Sequence, residues 1–369
     1  MNIHPLQAIY ADHTMIASPD TFYASVKEEF MDYLKSGFYL KTPHEAIYIC
    51  QIKTPSRTHL GIMSCVDIND YSEGKILKHE NTLAEKEQKM MNMILQRHTM
   101  IKPVLLAYPP VPELQQFMHE YRDKKKPLFE VKFAESGERH TIWEVKEGSE
   151  IKALKNIFAY KVPQCYIADG HHRCSTADYL HRSMKGKKHL DGYDMLFAAF
   201  FDFDELQILD YKRVVDIFSD ISPMRFMAGL SEKFHIKAIA EARKPMHKFE
   251  IIMMAGREAF SMIWKKEILD LYKDEVACLD AHLLDLHVFQ EILGIKDVRV
   301  DKRIDYVEGV KGLEGILNKV YKNPNMAGFS LYPVDIEEVV KISDAGQIMP
   351  PKSTWFEPRM KNGLLAYRF

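Results

Sequence analysis

Apolar residues recur at helical spacing in SPDTFYASVKEEFMDYLKSG, residues 18–37, where Phe22, Val26, Phe30, Tyr33 and Leu34 share one side of a helix. Ser18 or Asp20 supplies the cap, Pro19 suits the first turn and Gly37 ends the segment. The period then shortens. AIYICQI at 46–52 and HLGIMSCVDI at 59–68 read as strands around the turn TPSRT, a hairpin that buries Ile47, Ile49 and Cys65. A long helix is predicted from near Thr82, with Asn81 or Thr82 as its cap and Glu85 completing a capping box. KPVLLAYPP at 102–110 is a buried strand bounded by proline, and VPELQQFMHEYRDK is the next helix. LFEVKFAESGERHTIWEV alternates around Ser136-Gly137 and predicts a second hairpin. SEIKALKNIFAY is helical, VPQCYIADG is a short strand, a helix follows from His171, and DGYDMLFAAFFDF reads as a central strand.

The pattern changes near residue 205. ELQILDYKRVVDIF, MRFMAGLSEKFHIKAIA, SMIWKKEIL and LLDLHVFQEILGI carry helix-like patterns, with strand candidates such as KFEIIMMA between them. RIDYVEG follows, then a helix at 310–320, a strand at AGFSLYPV, and a helix at VDIEEVVKISDAGQ capped by Asp335 with Gly346 past its end. Strands and helices in close alternation predict an α+β fold. The expected division is 1–204 and 205–369, with a single interlocked domain as the alternative.

Composition narrows the classes. With 50 basic and 52 acidic residues the formal net charge is -2, which does not suit a surface that coats nucleic acid. YRDKKK at 121–126 and HRSMKGKKH at 181–189 are locally basic, as solvated loops and helix ends often are. No stretch is long and apolar enough to span a membrane, and the first residues lack the pattern of a signal peptide. Five scattered cysteines have neither zinc-ligand spacing nor the look of a disulfide framework, so a cytoplasmic protein is expected.

Candidate chemistry concentrates in YIADGHHRCSTA, 166–177. Asp169-Gly170 turns sharply after a strand, and the helix that follows points unpaired N–H groups outward, which favours an anion. Arg173 can grip phosphate oxygens in pairs, and Asp169 can hold a divalent cation. His171 and His172 can donate to phosphate, ligate a metal or move a proton; neighbours on a helix diverge by about 100°, so they do different jobs. The alternative is structural, with a histidine at a helix end and Arg173 paired to Asp178.

Two further clusters stand out. In Lys78-His79-Glu80-Asn81, Glu80 is a candidate general base oriented by His79; otherwise these are solvent groups ahead of a helix. In Pro350-Pro351-Lys352-Ser353-Thr354, the last three residues can contact an anion; otherwise the segment is an extension docked by Trp355 and Phe356. P-loop, GxGxxG, HExxH and GxSxG patterns are absent from the sequence.

KHENTL at 78–83, YIADGHHRCSTA at 166–177 and MPPKSTWFEP at 349–358 together resemble the DUF1015 family, over nearly the whole chain from about residue 18. The chain departs from that family in lacking a P-P-Y-D-V segment and in having Tyr211-Lys212-Arg213 where Thr-His-Arg is frequent; Arg213 survives. The D-G-H-H-R segment is also similar to the signature of the ParB/sulfiredoxin-like superfamily, which includes archaeal kinases of free serine. That resemblance implies a mixed-sheet ParB/sulfiredoxin-like core elaborated by additional strands and helices. It implies Mg²⁺ and ADP or ATP as cofactors, with Asp169 at the metal and His171, His172 and Arg173 at the phosphates. Gly170, His79, Ser175, Lys352, Ser353, Thr354 and Arg213 are expected to line the cofactor, and Glu80 to act as base toward a small hydroxyl compound.

The expected function is a small-molecule phosphotransferase or phosphohydrolase acting on a serine- or phosphoserine-like substrate. The alternative is a nucleotide-binding regulatory or nucleic-acid-associated protein without turnover. The expected partner is a nucleotide or small phosphorylated molecule; a membrane and nucleic acid are not expected, and a homo-oligomer is left open.

Overall fold

The structure is a computed structural model that describes residues 1–184 and 192–369, so part of the basic run at 181–189 lies outside the described residues. Its contacts form two units, one of residues 1–207 with 358–369 and one of residues 208–357. Both combine sheets with helices, which makes the fold α+β. Among the described residues no helix is long and apolar enough to cross a membrane.

The first unit is built on a nine-stranded mixed sheet. Its spine runs Ile76–Leu77, Cys165–Asp169, Val104–Tyr108, Met195–Asp202, Thr58–Asp67, Ile47–Lys53, Arg139–Val145 and Phe129–Lys132. Val104, Leu106, Ile167, Phe197 and Phe200 at its centre are fully buried. The two hairpins form as the alternation predicts. The helix over Pro19–Lys35 is capped by Ser18, whose side chain accepts from the Thr21 N–H.

The next helix departs from expectation. It spans Ala84–Arg97, with Leu83 at the cap position and no side-chain cap. Asn81 and Thr82 therefore do not cap it, and Glu85 does not close a capping box. The Leu83 N–H is engaged instead by a histidine ring from another element, so a tertiary contact replaces the local one. This helix packs on the helix His171–Met184 through Ile94, Leu180 and Met184.

The second unit holds a six-stranded antiparallel sheet. Its order is Phe234–Ile239, Glu258–Trp264, Glu250–Ala255, Met326–Leu331, Lys212–Asp216, Ile304–Val307. Several segments read as helices are strands here. ELQILDYKRVVDIF contributes Lys212–Asp216, FHIKAI is a strand after the helix Pro223–Lys233, and SMIW ends the strand Glu258–Trp264. The misreading has a physical cause. Lys212 and Arg213 are 0% and 1% exposed, so two charges occupy strand positions that the hydrophobic pattern assigns to water. The residues Asp280–Leu284 are α-helical and continue into a π-helical turn over Asp285–Gln290. The helix Ile336–Asp344 carries the expected cap at Asp335, there as a full capping box with Glu338.

One face of this sheet packs Val215, Ile304 and Phe329 against Phe289 of the π-helical turn, and the other carries Val214, Ile252 and Met254 with Ile316 and Val320 of the helix Glu314–Val320. That helix rides so close to the sheet that a Cβ on Gly328 would lie 2.0 Å from Cγ2 of Ile316. Gly328→Ala should therefore destabilise the protein by about 1–3 kcal/mol through overpacking. Urea unfolding reads this directly, and an unchanged midpoint would show that the helix is not seated on the sheet.

Candidate functional site

Strand pairing assembles a cluster at the end of the strand Cys165–Asp169. The strand Ile76–Leu77 runs parallel to it, with Ile76 opposite Cys165 and Leu77 opposite Tyr166. Continuing in that direction, residues 78–83 arrive beside the turn at Gly170. The strand Val104–Tyr108 runs antiparallel to the same strand and places Leu105 opposite Asp169, past an irregularity between Ile167 and Asp169. Bulges of this kind re-aim a side chain at a strand end. Lys102 lies just ahead of that strand. The strand Ala366–Arg368 pairs with Thr99–Met100, and the Gly363 N–H donates to the Ile101 carbonyl at 2.6 Å. This clip carries Arg359 to the same place.

Three cations therefore converge on one carboxylate. Arg359 Nη1 donates to Asp169 Oδ1 at 2.7 Å, and Arg173 Nη2 donates to Oδ2 at 2.6 Å. Lys102 Nζ stands 3.5 Å from Oδ2. Burial alone would raise the Asp169 carboxyl, but Arg173, Lys102 and Arg359 outweigh it and hold it well below the usual carboxylate range. Lys102 moves the other way: burial, followed by repulsion from Arg173, brings its ammonium down to about 8. One carboxylate thus faces three cations. Arg173 Nε is buried without a hydrogen-bond partner. Gly170 has φ +112°, and a Cβ there would stand 2.7 Å from Arg173 Nη2. Glycine is needed twice over, for the backbone angle and for the guanidinium lying against it.

The two histidines do different work, and both turn toward the KHENTL segment. His171 is 6% exposed, and its Nε2 accepts from the His79 N–H at 3.4 Å. With Nε2 as acceptor, the neutral ring carries its proton on Nδ1, which lies 3.8 Å from Glu80 Oε2. His172 Nε2 accepts from the Leu83 N–H at 3.1 Å. His79 is also buried, and its ring meets that of His171 edge-on with centroids 4.5 Å apart. Burial lowers His79 to about 4, and burial followed by the neighbouring His79 keeps His171 well below its ordinary value. Both rings are thus neutral near pH 7. They orient backbone and carboxylate, while the arginines and the lysine carry the charge.

Asp169, Gly170, His171, His172, Arg173, His79 and Glu80 thus meet in the first unit. Ser175 lies one turn further along, where its hydroxyl donates to Glu87 and ties the two packed helices together. Asp178 pairs with Arg182, leaving Arg173 to Asp169. Arg213, Lys352, Ser353 and Thr354 belong to the second unit. There Lys352 Nζ lies 4.8 Å from the centre of the Tyr211 ring, and the Ser353 hydroxyl donates to the Pro350 carbonyl at 2.7 Å.

As found, Asp169 does not fit the role of a metal ligand, because cations already occupy both of its oxygens. Among the described residues no group of three or more His, Cys, Asp or Glu side chains is gathered to hold a metal ion. The donor set does fit a polyanion: two guanidinium groups, one of them with an unpartnered buried N–H, an ammonium and a helix N-terminus. Lys102 and Arg359 escaped the sequence reading. Arg359 directly follows the MPPKSTWFEP motif, which was a usable signal; Lys102 stands before a proline and carried none.

Asp169→Ala should cost about 3–5 kcal/mol, because it leaves partly buried cations without their counter-charge. Sulfate should restore part of the loss by taking the place of the carboxylate. Thermal melts with and without sulfate check this, and a variant that melts like the parent would refute the charge arrangement.

A family model described as "Protein of unknown function (DUF1015)" matches residues 6–282. No curated protein matches the chain. Among solved structures, SbnI with a C-terminal truncation from Staphylococcus aureus is similar at 13% identity and a TM-score of 0.42, over 81% of this chain and 85% of that one. A free serine kinase in complex with AMP is similar at 13% identity and a TM-score of 0.39, over 82% and 92%. A conserved hypothetical protein from Pyrococcus furiosus is similar at 13% identity and a TM-score of 0.38, over 81% and 94%. The motifs in the sequence and the match over residues 6–282 lead to one assignment: the chain belongs to the DUF1015 family.

Proposed function

We propose that the first unit binds the phosphates of a nucleotide, ADP or ATP, and transfers a phosphoryl group between it and a small hydroxyl compound. The observation that carries this reading is the convergence of Lys102, Arg173 and Arg359 on the single carboxylate of Asp169, beside a helix N-terminus. Asp169 holds the cations in place before the ligand arrives, so little reorganisation is needed when phosphate oxygens enter. Phosphoryl transfer depends chiefly on such positioning and charge.

Glu80 is the base in this scheme. Its carboxylate lies against the proton-bearing nitrogen of His171, and His171 and His172 fix the backbone on either side of it. In the kinase direction the substrate hydroxyl oxygen bonds to phosphorus, the bond from phosphorus to the nucleotide oxygen breaks, and the nucleotide leaves with that electron pair. The hydroxyl proton passes to Glu80. A serine- or phosphoserine-like substrate rests on the sequence resemblance alone. No step is routed through Mg²⁺, because the paired oxygens of Asp169 do not suit it.

Calorimetry with AMP, ADP and ATP, together with turnover assays on serine and phosphoserine, tests the proposal. Arg173→Ala should weaken ADP by more than ~1.5 kcal/mol, the scale of a charge-assisted contact. A lysine whose value has fallen to about 8 is charged below that pH and neutral above it. Affinity should therefore fall as pH rises through about 8, and Lys102→Arg should flatten the profile. Binding without turnover would assign the site to regulation, and no nucleotide binding would refute it.

A further inference from the structure

A lysine paired closely with carboxylates is held protonated and makes a poor nucleophile. Lys75 Nζ lies 2.9 Å from Glu73 and 2.9 Å from Asp70, and those hydrogen bonds raise its ammonium. Lys212 Nζ donates to Asp210 Oδ1 at 2.8 Å and is closed off from solvent.

Lys102 is placed differently. Its Nζ stands 3.5 Å from Asp169 Oδ2, while Arg173 and Arg359 hold the same carboxylate at 2.6 and 2.7 Å. The guanidinium groups therefore take the close positions, and the amine is left at the margin of the carboxylate. The side chains of Lys102, Arg173 and Arg359 keep 22%, 13% and 28% of their exposure, so none of the three is sealed from solvent. Burial, followed by repulsion from Arg173, brings the Lys102 ammonium down to about 8. Near that pH it carries roughly a hundredfold more free amine than a lysine with the ordinary value near 10.4. A free amine is a nucleophile, and this one stands beside two groups that grip phosphate.

We propose that Lys102 is a modification site, acylated by small acyl phosphates whose phosphate is held by Arg173 and Arg359. This rests on the reading that the cluster receives phosphate, and it adds a way to regulate the same site. The Lys102 ammonium first gives a proton to solvent. The amine nitrogen then bonds to the carbonyl carbon, and the bond from that carbon to the phosphate oxygen breaks. The phosphate leaves with the electron pair and takes up the second amine proton, so the products are an amide and hydrogen phosphate. The amide has no charge, so the site loses one of its three cations and its hold on a nucleotide weakens.

The test treats the full chain with acetyl phosphate at pH 8 and follows each lysine by peptide mass spectrometry. Lys102 should be acetylated about tenfold faster than exposed lysines. Excess inorganic phosphate should remove that lead, and the uncharged reagent N-acetoxysuccinimide should show a smaller one. Arg359→Gln should slow the labelling of Lys102; circular dichroism identifies a variant that has failed to fold, and phosphate protection of the parent stands without it. The proposal is overturned if Lys102 reacts no faster than exposed lysines, if phosphate does not protect it, or if N-acetoxysuccinimide gives an equal lead. Calorimetry with ADP reads the nucleotide proposal separately. ADP binding without labelling of Lys102 overturns the acylation alone, and phosphate-protected labelling without ADP binding overturns the nucleotide reading alone. Where both hold, the acetylated chain should bind ADP about tenfold more weakly, and unchanged affinity would overturn the regulatory role.

Discussion

Asp169 holds three cations that would otherwise repel one another, and the candidate site depends on that. Lys102, Arg173 and Arg359 come from three separate stretches of the chain, and each is at least half-buried. Without the carboxylate, bringing them together out of water would cost more than the local packing returns. With it, the three cations share one counter-charge inside the fold. The cost of gathering positive charge is thus met by folding, before any ligand arrives.

The strand geometry around Asp169 follows from the same need. A parallel neighbour delivers Glu80 and His79, an antiparallel neighbour delivers Lys102, and the C-terminal strand delivers Arg359. Gly170 gives the backbone its left-handed turn and leaves room for the Arg173 guanidinium. The histidines first attract attention as ligands or acids. In the folded chain both accept from backbone N–H groups, His171 from a buried position, and they fasten the Glu80 segment to the turn.

Much of the first unit was legible in the sequence, because its strands are short apolar runs bounded by turn residues and its helices carry ordinary stop signals. The cap at Asn81 or Thr82 was not, because the Leu83 N–H is satisfied by His172, eighty-nine residues away in sequence. The second unit was harder for a related reason. Lys212, Arg213 and Glu250 are buried in strands, so polar letters stand where burial demands apolar ones. Matching charge to charge inside a sheet is a long-range property, and a local window reads it as surface. At the site, motif residues such as Arg173 and Glu80 could be singled out, while Lys102 could not, because its partner is known only once the strands have paired.

The central claim is that the Lys102–Arg173–Arg359 cluster receives an anion. The most direct measurement is a crystal of the full chain soaked in tungstate, read by anomalous diffraction. A peak is expected within hydrogen-bond reach of Lys102 Nζ and the two guanidinium groups, beside the helix that begins at His171. Tungstate bound elsewhere while this cluster stays empty would contradict it.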